Sequence, residues 1–303
     1  IREKVLGPED LDFAESLNGL AGVYKKLGQD EKAAPLNERV TAIRERKNRE
    51  KVIELRNAGF DLLERGDYDK AMSAALSADK AAKDALGEDD PVTASTHVLI
   101  ATIAGRQSDW ALAEEFSGAA LSIMEKAVGP EDPDLSAYLN NLGNIYKRTG
   151  NYERAEELYR RAVAIDEKLD DTAVVMSLRN LAGLYKTMAG PENLQKASDL
   201  LVRAWRIAEK KLGPDDLLVA ETLADIGEFT RFVAAYLNES ERTAALKQKI
   251  GPFLIRALQI KEKALGLEHP GLLGILAGLG AVYRDIGEAD AAAILFQRTL
   301  AIE

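Results

Sequence analysis

The sequence contains no cysteine and only two histidines, His97 and His269, among its 303 residues. The absence of cysteine excludes disulfide bonds, thiolate zinc sites, iron–sulfur clusters and cysteine nucleophiles. Neither histidine has a second histidine or a carboxylate at metal-ligand spacing, so both are expected to be structural and no metal site is predicted. The chain therefore has few histidines that could act as a general acid or base in catalysis.

Long apolar runs and an excess of positive charge are also missing. No uninterrupted stretch approaches the ~20 apolar residues of a membrane-spanning helix, which argues against a membrane partner. Forty basic against 50 acidic side chains give a net charge of −10, whereas nucleic-acid-binding proteins usually have a basic balance or a basic stripe. The nucleotide-binding and hydrolase motifs are absent as well. We therefore predict no nucleic-acid partner, no cofactor, no catalytic residue and no enzyme activity.

What the sequence does contain is an internal repeat. A loop phrase recurs in which leucine or valine precedes glycine and acidic residues, often followed by proline. Its glycines Gly87 and Gly129 are 42 residues apart, and Gly213 follows Gly129 by 84 residues, twice that spacing. A fixed period of this length indicates a repeat architecture. Acidic residues at these positions suit helix N-termini and lack the spacing of calcium ligands, so a structural role is expected. The copies begin at Leu6, Leu86, Val128, Leu212 and Leu265, and a copy without glycine occurs at Leu169-Asp170-Asp171.

Two helices are predicted after each loop. In the first, helix A, apolar residues such as Leu17, Leu20 and Tyr24 recur at helical spacing. The second, helix B, has an apolar stripe of the same period, clearest at Ala155 and Tyr159. Glycines between the two helices suit the left-handed position that ends a helix. These glycines are Gly28, Gly66, Gly150 and Gly287.

The pattern divides the whole chain, 1–303, into seven repeats of one continuous domain. The sixth repeat is the longest and carries Gly251-Pro252 where helix B is expected, so we predict a break or kink there and a bend in the array. The two ends, Ile1-Arg2-Glu3-Lys4 and Ile302, fall at the same phase of the repeat and have no polar cap. This predicts a piece of a longer array, or ends that pack against further copies. The repeats span approximately 5–47, 48–85, 86–127, 128–168, 169–211, 212–264 and 265–303.

These repeats resemble the tetratricopeptide repeat. The resemblance rests on Leu20-Ala21-x-x-Tyr24 in helix A, on the glycine of the turn and on Ala155-x-x-Leu158-Tyr159-x-x-Ala162 in helix B. The 42-residue period and the Leu-Gly-Pro-Glu-Asp-Pro loop resemble the variant of kinesin light chains, which also occurs in bacterial multidomain signalling proteins. The resemblance implies an all-α fold, a right-handed α-solenoid, in which helices A line the concave side.

The resemblance also implies which side chains face the groove. They are the residue after the first leucine of helix A, the residue four later and the basic residue after the tyrosine, which share one helix face. Asparagine amides can bind an extended peptide backbone, and lysine or arginine beside them favours acidic groups. The alternative is that these are solvated residues on an exposed face. The predicted peptide-binding residues are Asn18, Lys25, Arg56, Asn140, Asn144, Lys147, Arg179, Lys186 and Arg284.

The sequence therefore predicts a non-enzymatic scaffold for protein–protein interaction that binds an extended, acidic peptide or partner segment in its concave groove. Two alternatives stay open. The chain could self-associate through its uncapped terminal repeats into a structural array. It could also be the sensor or regulatory module of a larger signalling protein.

Overall fold

The computed structural model describes residues 7–169 and 172–302, and these residues form α-helices joined by short turns, without a β-strand. The predicted all-α class with helix-turn-helix repeats is confirmed. The chain divides into an N-terminal lobe that ends at Thr149 and a C-terminal lobe that begins at Gly150. The segment from Ile1 to Leu6, the loop residues Asp170 and Asp171, and Glu303 lie outside the described residues.

From residue 7 onward, the described part of the N-terminal lobe contains six helices, and each packs against the next in the chain. Helix α2 also contacts α4, which places these two helices side by side. The helices are α1 (Leu11–Lys26), α2 (Asp30–Glu64), α3 (Tyr68–Leu86), α4 (Pro91–Arg106), α5 (Trp110–Val128) and α6 (Leu135–Thr149).

The C-terminal lobe continues the pattern with pairs of packed helices, chiefly α8 with α9, α10 with α12 and α13 with α14. Its main core joins α8 to α14 through buried leucine, valine, isoleucine and alanine side chains. The helices are α7 (Tyr152–Asp166), α8 (Ala173–Met188), α9 (Pro191–Leu212), α10 (Leu217–Ala234), α11 (Glu239–Ala245), α12 (Gly251–Leu265), α13 (Leu273–Asp285) and α14 (Ala289–Ile302).

Helix α2 runs without a break across the predicted boundary between the first two repeats at residue 47 and has 35 residues. The sequence around this boundary offers no glycine, proline or loop phrase that would stop a helix. Instead, Arg46 and Lys47 both pair with Glu50 one turn later, and pairs at this spacing support a helix. Helix B of the first repeat and helix A of the second are therefore the two halves of α2.

The loop acids cap the helices that follow them. Asp90, three residues after the loop glycine, accepts a hydrogen bond through Oδ1 from the backbone N–H of Val92 at 2.8 Å. Such a bond satisfies one of the N–H groups left free in a first helical turn. The predicted structural role of the loop acids is thus confirmed where the structure describes them. Asp10, Asp132 and Asp216 make the same bond.

The acidic loops also take part in ion pairs that recur with the repeat. Asp89, two residues after the loop glycine, lies 2.9 Å from Nζ of Lys126 near the end of helix B. Glu9 with Arg46 and Asp215 with Lys263 repeat this pair. All of these side chains are largely exposed, so water and salt screen each pair and its contribution to stability is small.

The turns between helices A and B have the expected glycine conformation. Gly28, Gly66, Gly150 and Gly287 have φ between 70° and 85°, the left-handed region in which glycine carries no steric penalty. In the third repeat the corresponding residue is Ser108, with φ of 64°. The predicted helix ends are therefore confirmed at all four glycines.

The sixth repeat departs from the α-helix at the predicted place. A π-helical turn, Leu246–Ile250, precedes α12, and Pro252 lies in the first turn of α12 directly after it. The helical backbone continues through Gly251-Pro252, so the predicted break appears there only as a change of helix type, and the kink and the bend of the array stay predictions. The neighbouring α10 has Gly227 where the first, fourth, fifth and seventh repeats have tyrosine, and a Cβ there would lie 2.6 Å from Cδ2 of Leu254, whose side chain occupies this space.

One apolar side of α1 is not covered by any helix of the described residues. Leu20 is 44% exposed and Val23 52% exposed, although the residues at the same repeat position in α13, Leu279 and Val282, are 3% and 1% exposed. A repeat covers this face only through the helices packed before it. The equivalent residues Leu142, Ile145, Leu223 and Ile226 are also buried.

His269 occupies the capping position of the last repeat and accepts through Nδ1 from the N–H of Gly271 at 3.0 Å. We expect His269→Asp to raise the free energy of unfolding by roughly 0.5–1 kcal/mol, because aspartate is the better cap and also meets the helix dipole. Urea denaturation at pH 7 measures the change. His269→Ala is the control and should destabilise the protein, and equal stability of the two variants would contradict the capping role.

Val23 and Val282 occupy the same position in two different repeats, but their replacement by alanine should lower the free energy of unfolding by different amounts. We expect Val282→Ala to lower the free energy of unfolding by about 2 kcal/mol, because two buried methyl groups are lost. Val23→Ala should cost less than about 0.5 kcal/mol, because this side chain is already half exposed. Urea denaturation of both variants checks this, and a loss at Val23 as large as that at Val282 would show that a partner covers α1 in solution.

Candidate functional site

The predicted peptide-binding residues of α1 and α6 differ in their surroundings. Asn18 and Lys25 on α1 are exposed, whereas Asn140, Asn144 and Lys147 on α6 are half-buried. Burial lowers the pKa of Lys147, and the charge of the adjacent Arg148 lowers it further. A partly desolvated ammonium group of this kind gains more from an approaching carboxylate than an exposed one does.

Arg56 on α2 is the predicted residue with the most defined site in the N-terminal lobe. Its Nη1 donates to Oγ of Ser95 on α4 at 2.9 Å, and its Nη2 donates to Oδ1 of Asn57 at 3.1 Å. Its Nε is buried without a hydrogen-bond partner. No carboxylate among the described residues pairs with Arg56, so the charge of the guanidinium group is met only by neutral oxygens. A guanidinium group held in this way can still bind a carboxylate.

A cavity of about 210 Å³ lies beside Arg56, between helices α2, α4 and α6. Its wall is almost entirely apolar, so it can accept an apolar side chain next to the guanidinium group. Burial raises the pKa of Tyr138 in this wall, and the charge of Asp134 raises it further, so the phenol stays neutral. The other residues of the wall are Phe60, Ser95, Val98, Ala137 and Asn141.

A second cavity of about 140 Å³ shares Val98 and Asn141 with the first and continues along α4 and α6 past Thr102 and Ile145. We call the surface that carries the two cavities the α2–α4–α6 face. On α6 the residues that line this surface are Ala137, Tyr138, Asn141 and Ile145, and the predicted Asn140 and Asn144 are not among them. The sequence signal for Asn141 was present, because the phrase Leu139-Asn140-Asn141-Leu142 holds two asparagines, but spacing alone did not decide which one faces the neighbouring helix.

In the C-terminal lobe the structure places Arg179 in an ion-pair network. Its Nε lies 2.5 Å from Oδ2 of Asp225, and its Nη1 lies 2.7 Å from Oε2 of Glu221, both on α10. The side chain of Arg179 is only 16% exposed. The predicted anion-binding group is therefore already engaged by carboxylates of its own chain.

The two remaining predicted residues also have neighbours. Nζ of Lys186 lies 5.6 Å from the centre of the Phe232 ring, a cation–π distance. Arg284 is exposed and pairs with the adjacent Asp285 at 3.0 Å. Lys186 and Arg179 share a cavity of about 100 Å³ with Gly183, Asp225 and Glu228. We call the surface around this cavity the α8–α10 face.

The acidic side of this face was missed from the sequence. When Leu181 of α8 is aligned with Leu223 of α10, the groove positions Arg179, Gly183 and Lys186 correspond to Glu221, Asp225 and Glu228. The degenerate sixth repeat therefore has three carboxylates where the fourth repeat has two asparagines and a lysine. The alignment of the leucines would have revealed this exchange.

A buried titratable cluster joins α3 to α4. Asp79 is 6% exposed, and its carboxylate lies 2.9 Å from Nε2 of His97 and 2.7 Å from Nζ of Lys83, while Thr96 donates to it at 3.1 Å. Burial opposes ionisation of Asp79, but His97 and Lys83 outweigh it and hold the pKa of this carboxyl below its usual range. The ring of His97 also packs edge-on against Phe116, with centroids 5.1 Å apart. The cluster is thus a packed ion pair in the core.

The described residues offer neither a metal site nor a membrane-spanning helix. No group of three or more histidine, cysteine, aspartate or glutamate side chains there is placed to hold a metal ion. Within the same residues, every helix is either too short or too polar to span a bilayer.

Comparison with known proteins gives tetratricopeptide-repeat family models as matches at residues 13–48 and 92–168. A curated relative, the clustered mitochondria protein homolog of Lodderomyces elongisporus, is 21% identical over 260 residues, 83% of this chain. The chain spans only 16% of the length of that protein.

Two solved structures have the same fold. One, of nearly identical repeats of the tetratricopeptide type from a putative kinesin light chain of Podosopora anserina, has a TM-score of 0.58 at 17% identity, over 71% of this chain and 97% of that one. The other, BtubC (BKLC) from P. vanneervenii, has a TM-score of 0.60 at 21% identity, over 78% of this chain and 90% of that one. At these identities the likeness concerns the fold alone.

Asp79→Asn tests the buried cluster. We expect it to lower the free energy of unfolding by about 1–3 kcal/mol at pH 7, because Lys83 and His97 lose a charged partner. The folded-state pKa is lowered, so the stabilisation is complete above the usual carboxyl pKa of 3.8 and is lost as pH falls through the lower folded value. Denaturant titrations between pH 2 and pH 7 measure this, and the gap to the native protein should shrink toward pH 2.

The control for this prediction is Asp84→Asn, an exposed aspartate on the same helix. It should change stability by less than about 0.5 kcal/mol at any pH. A pH-independent loss in the Asp79 variant would mean that shape rather than charge holds the cluster together.

Proposed function

Because the chain is an array of tetratricopeptide repeats of the kinesin-light-chain-like type, a fold that serves as a protein-interaction scaffold, we propose that its α2–α4–α6 face binds an extended, acidic peptide segment. The observation that carries this proposal is Arg56, a half-buried arginine with only neutral hydrogen-bond partners, at the edge of an apolar cavity.

The chemistry of the face supports a peptide with two kinds of side chain. An acidic side chain can bind Arg56 by charge-assisted hydrogen bonds to the Nη hydrogens that Ser95 and Asn57 do not use. An apolar side chain next to it can fill the cavity between Phe60 and Tyr138. Asn141 at the junction of the two cavities can donate to and accept from the peptide backbone, as an extended segment requires.

The predicted residues Asn140, Asn144 and Lys147 extend the proposal along α6. Their half-buried positions allow an amide or an ammonium group to contact a ligand without a large loss of side-chain entropy. Asn18 and Lys25 on α1 would reach the same segment only at its end. The proposal places no catalytic step in the chain.

The test uses fluorescein-labelled synthetic peptides that alternate glutamate with leucine, and lysine with leucine, in fluorescence anisotropy titrations. We expect the native chain to prefer the acidic peptide, with an affinity that falls as salt is raised. Arg56→Ala should weaken that binding by tenfold or more, since a hydrogen-bonded charge is lost. Tyr138→Ala, which removes one wall of the cavity, should also weaken it.

The matched control is Arg65→Ala, an exposed arginine at the end of the same helix that removes the same charge. It should leave the affinity for the acidic peptide within about twofold. Equal binding of the acidic and the basic peptide, or equal losses in the Arg56 and Arg65 variants, would contradict the proposal.

A further inference from the structure

The basic and acidic groove positions of the C-terminal lobe face each other across two neighbouring helices A. On α8 these positions hold Arg179 and Lys186, and on α10 they hold Glu221, Asp225 and Glu228. Glu228 is exposed, and Asp225 and Glu228 both line the cavity of the α8–α10 face. A ligand on this face would meet more negative than positive charge.

The carboxylates of Glu221 and Asp225 occupy the directions from which a ligand would bind Arg179. Asp225 accepts from Nε at 2.5 Å, Glu221 accepts from Nη1 at 2.7 Å, and Sδ of Met176 lies 3.2 Å from the same Nη1. With its side chain 16% exposed, Arg179 offers little free surface. Arg56 differs in this respect, because its partners are a hydroxyl and an amide.

An acidic ligand would have to displace one of these carboxylates or lie beside them. Displacement would leave a partly buried carboxylate without its partner, and a position beside them brings like charges together, which is costly at an interface. The ion pairs also hold α8 against α10, so their loss would loosen the face that the ligand needs. Both routes disfavour acidic segments.

We propose that Glu221 and Asp225 are specificity-determining residues that occupy Arg179 and so exclude acidic peptide segments from the α8–α10 face. This inference deepens the proposed function, because it restricts the binding of acidic segments to the surfaces whose basic residues have no carboxylate partner. The carboxylates of these ion pairs thus compete with an acidic ligand for Arg179. The face becomes an anion-binding surface when its own carboxylates are neutralised.

The experiment is carried out on the full chain with Arg56→Ala already introduced, so that the proposed site of the N-terminal lobe does not contribute. The probe is the fluorescein-labelled glutamate–leucine peptide, titrated at low and at high salt. We expect Glu221→Gln with Asp225→Asn to tighten binding of this probe roughly tenfold at low salt, since two repelling charges are removed and Arg179 is released. Adding Arg179→Ala to that variant should abolish the gain.

The matched control is Glu239→Gln with Glu241→Gln on α11, which changes the net charge by the same amount at exposed positions outside the cavity. No gain for Glu221→Gln with Asp225→Asn, or a gain equal to that of the control, would overturn the inference. A gain that survives Arg179→Ala would overturn it as well, because it would come from net charge alone.

Thermal denaturation followed by circular dichroism establishes that each variant is folded. If the double variant melts at a lower temperature, Glu221→Gln and Asp225→Asn are measured singly, since each leaves one carboxylate on Arg179, and each should give a smaller gain. Absence of a gain in both would overturn the inference. A separate result would contradict the proposed function, namely that the Arg56→Ala variant binds the acidic peptide as tightly as the native chain does.

Discussion

Packing of the helix A apolar face against the helices before it is the interaction on which the rest of the structure depends. One hairpin of two helices cannot bury both of its apolar faces, so each repeat relies on its neighbours. Val282 and Val23 show the two states of this face, buried in one repeat and half exposed in another. The loop caps and the exposed ion pairs fix where each helix begins and how it meets the next, but they contribute much less energy than this burial.

Because burial of the apolar face supplies most of the stability, the residue type at the groove positions can vary. Because the apolar residues hold the helices, the groove position two residues before the second leucine can be asparagine, arginine or glutamate without loss of the fold, as in Asn140, Arg179 and Glu221. The chemistry of each groove segment then depends on which charges meet across adjacent helices. Arg56 meets neutral oxygens and stays available, whereas Arg179 meets two carboxylates and is occupied.

Much of the fold could be predicted from the repeat period of the sequence, because the helices, the turn glycines and the capping aspartates all recur at the same position of each repeat. The period could not show that α2 is continuous, because that depends on an absence of stop signals around residue 47 rather than on a motif. Nor could it show that Asn141 rather than Asn140 lines the cavity, because adjacent residues point about 100° apart around a helix and the position of the neighbouring helices decides which of them faces the cavity. The pairing of Arg179 depends on side chains 42 and 46 residues away, beyond any local pattern.

The continuous helix α2 has a consequence for folding. In most repeat arrays a hairpin can fray at a loop while its neighbour stays intact, because the two are joined by flexible chain. Here no loop separates the first two hairpins, and a single backbone ladder of hydrogen bonds serves both. Unwinding one half of α2 removes the support of the other half, so α1, α2 and α3 form one cooperative unit that gains and loses its structure together.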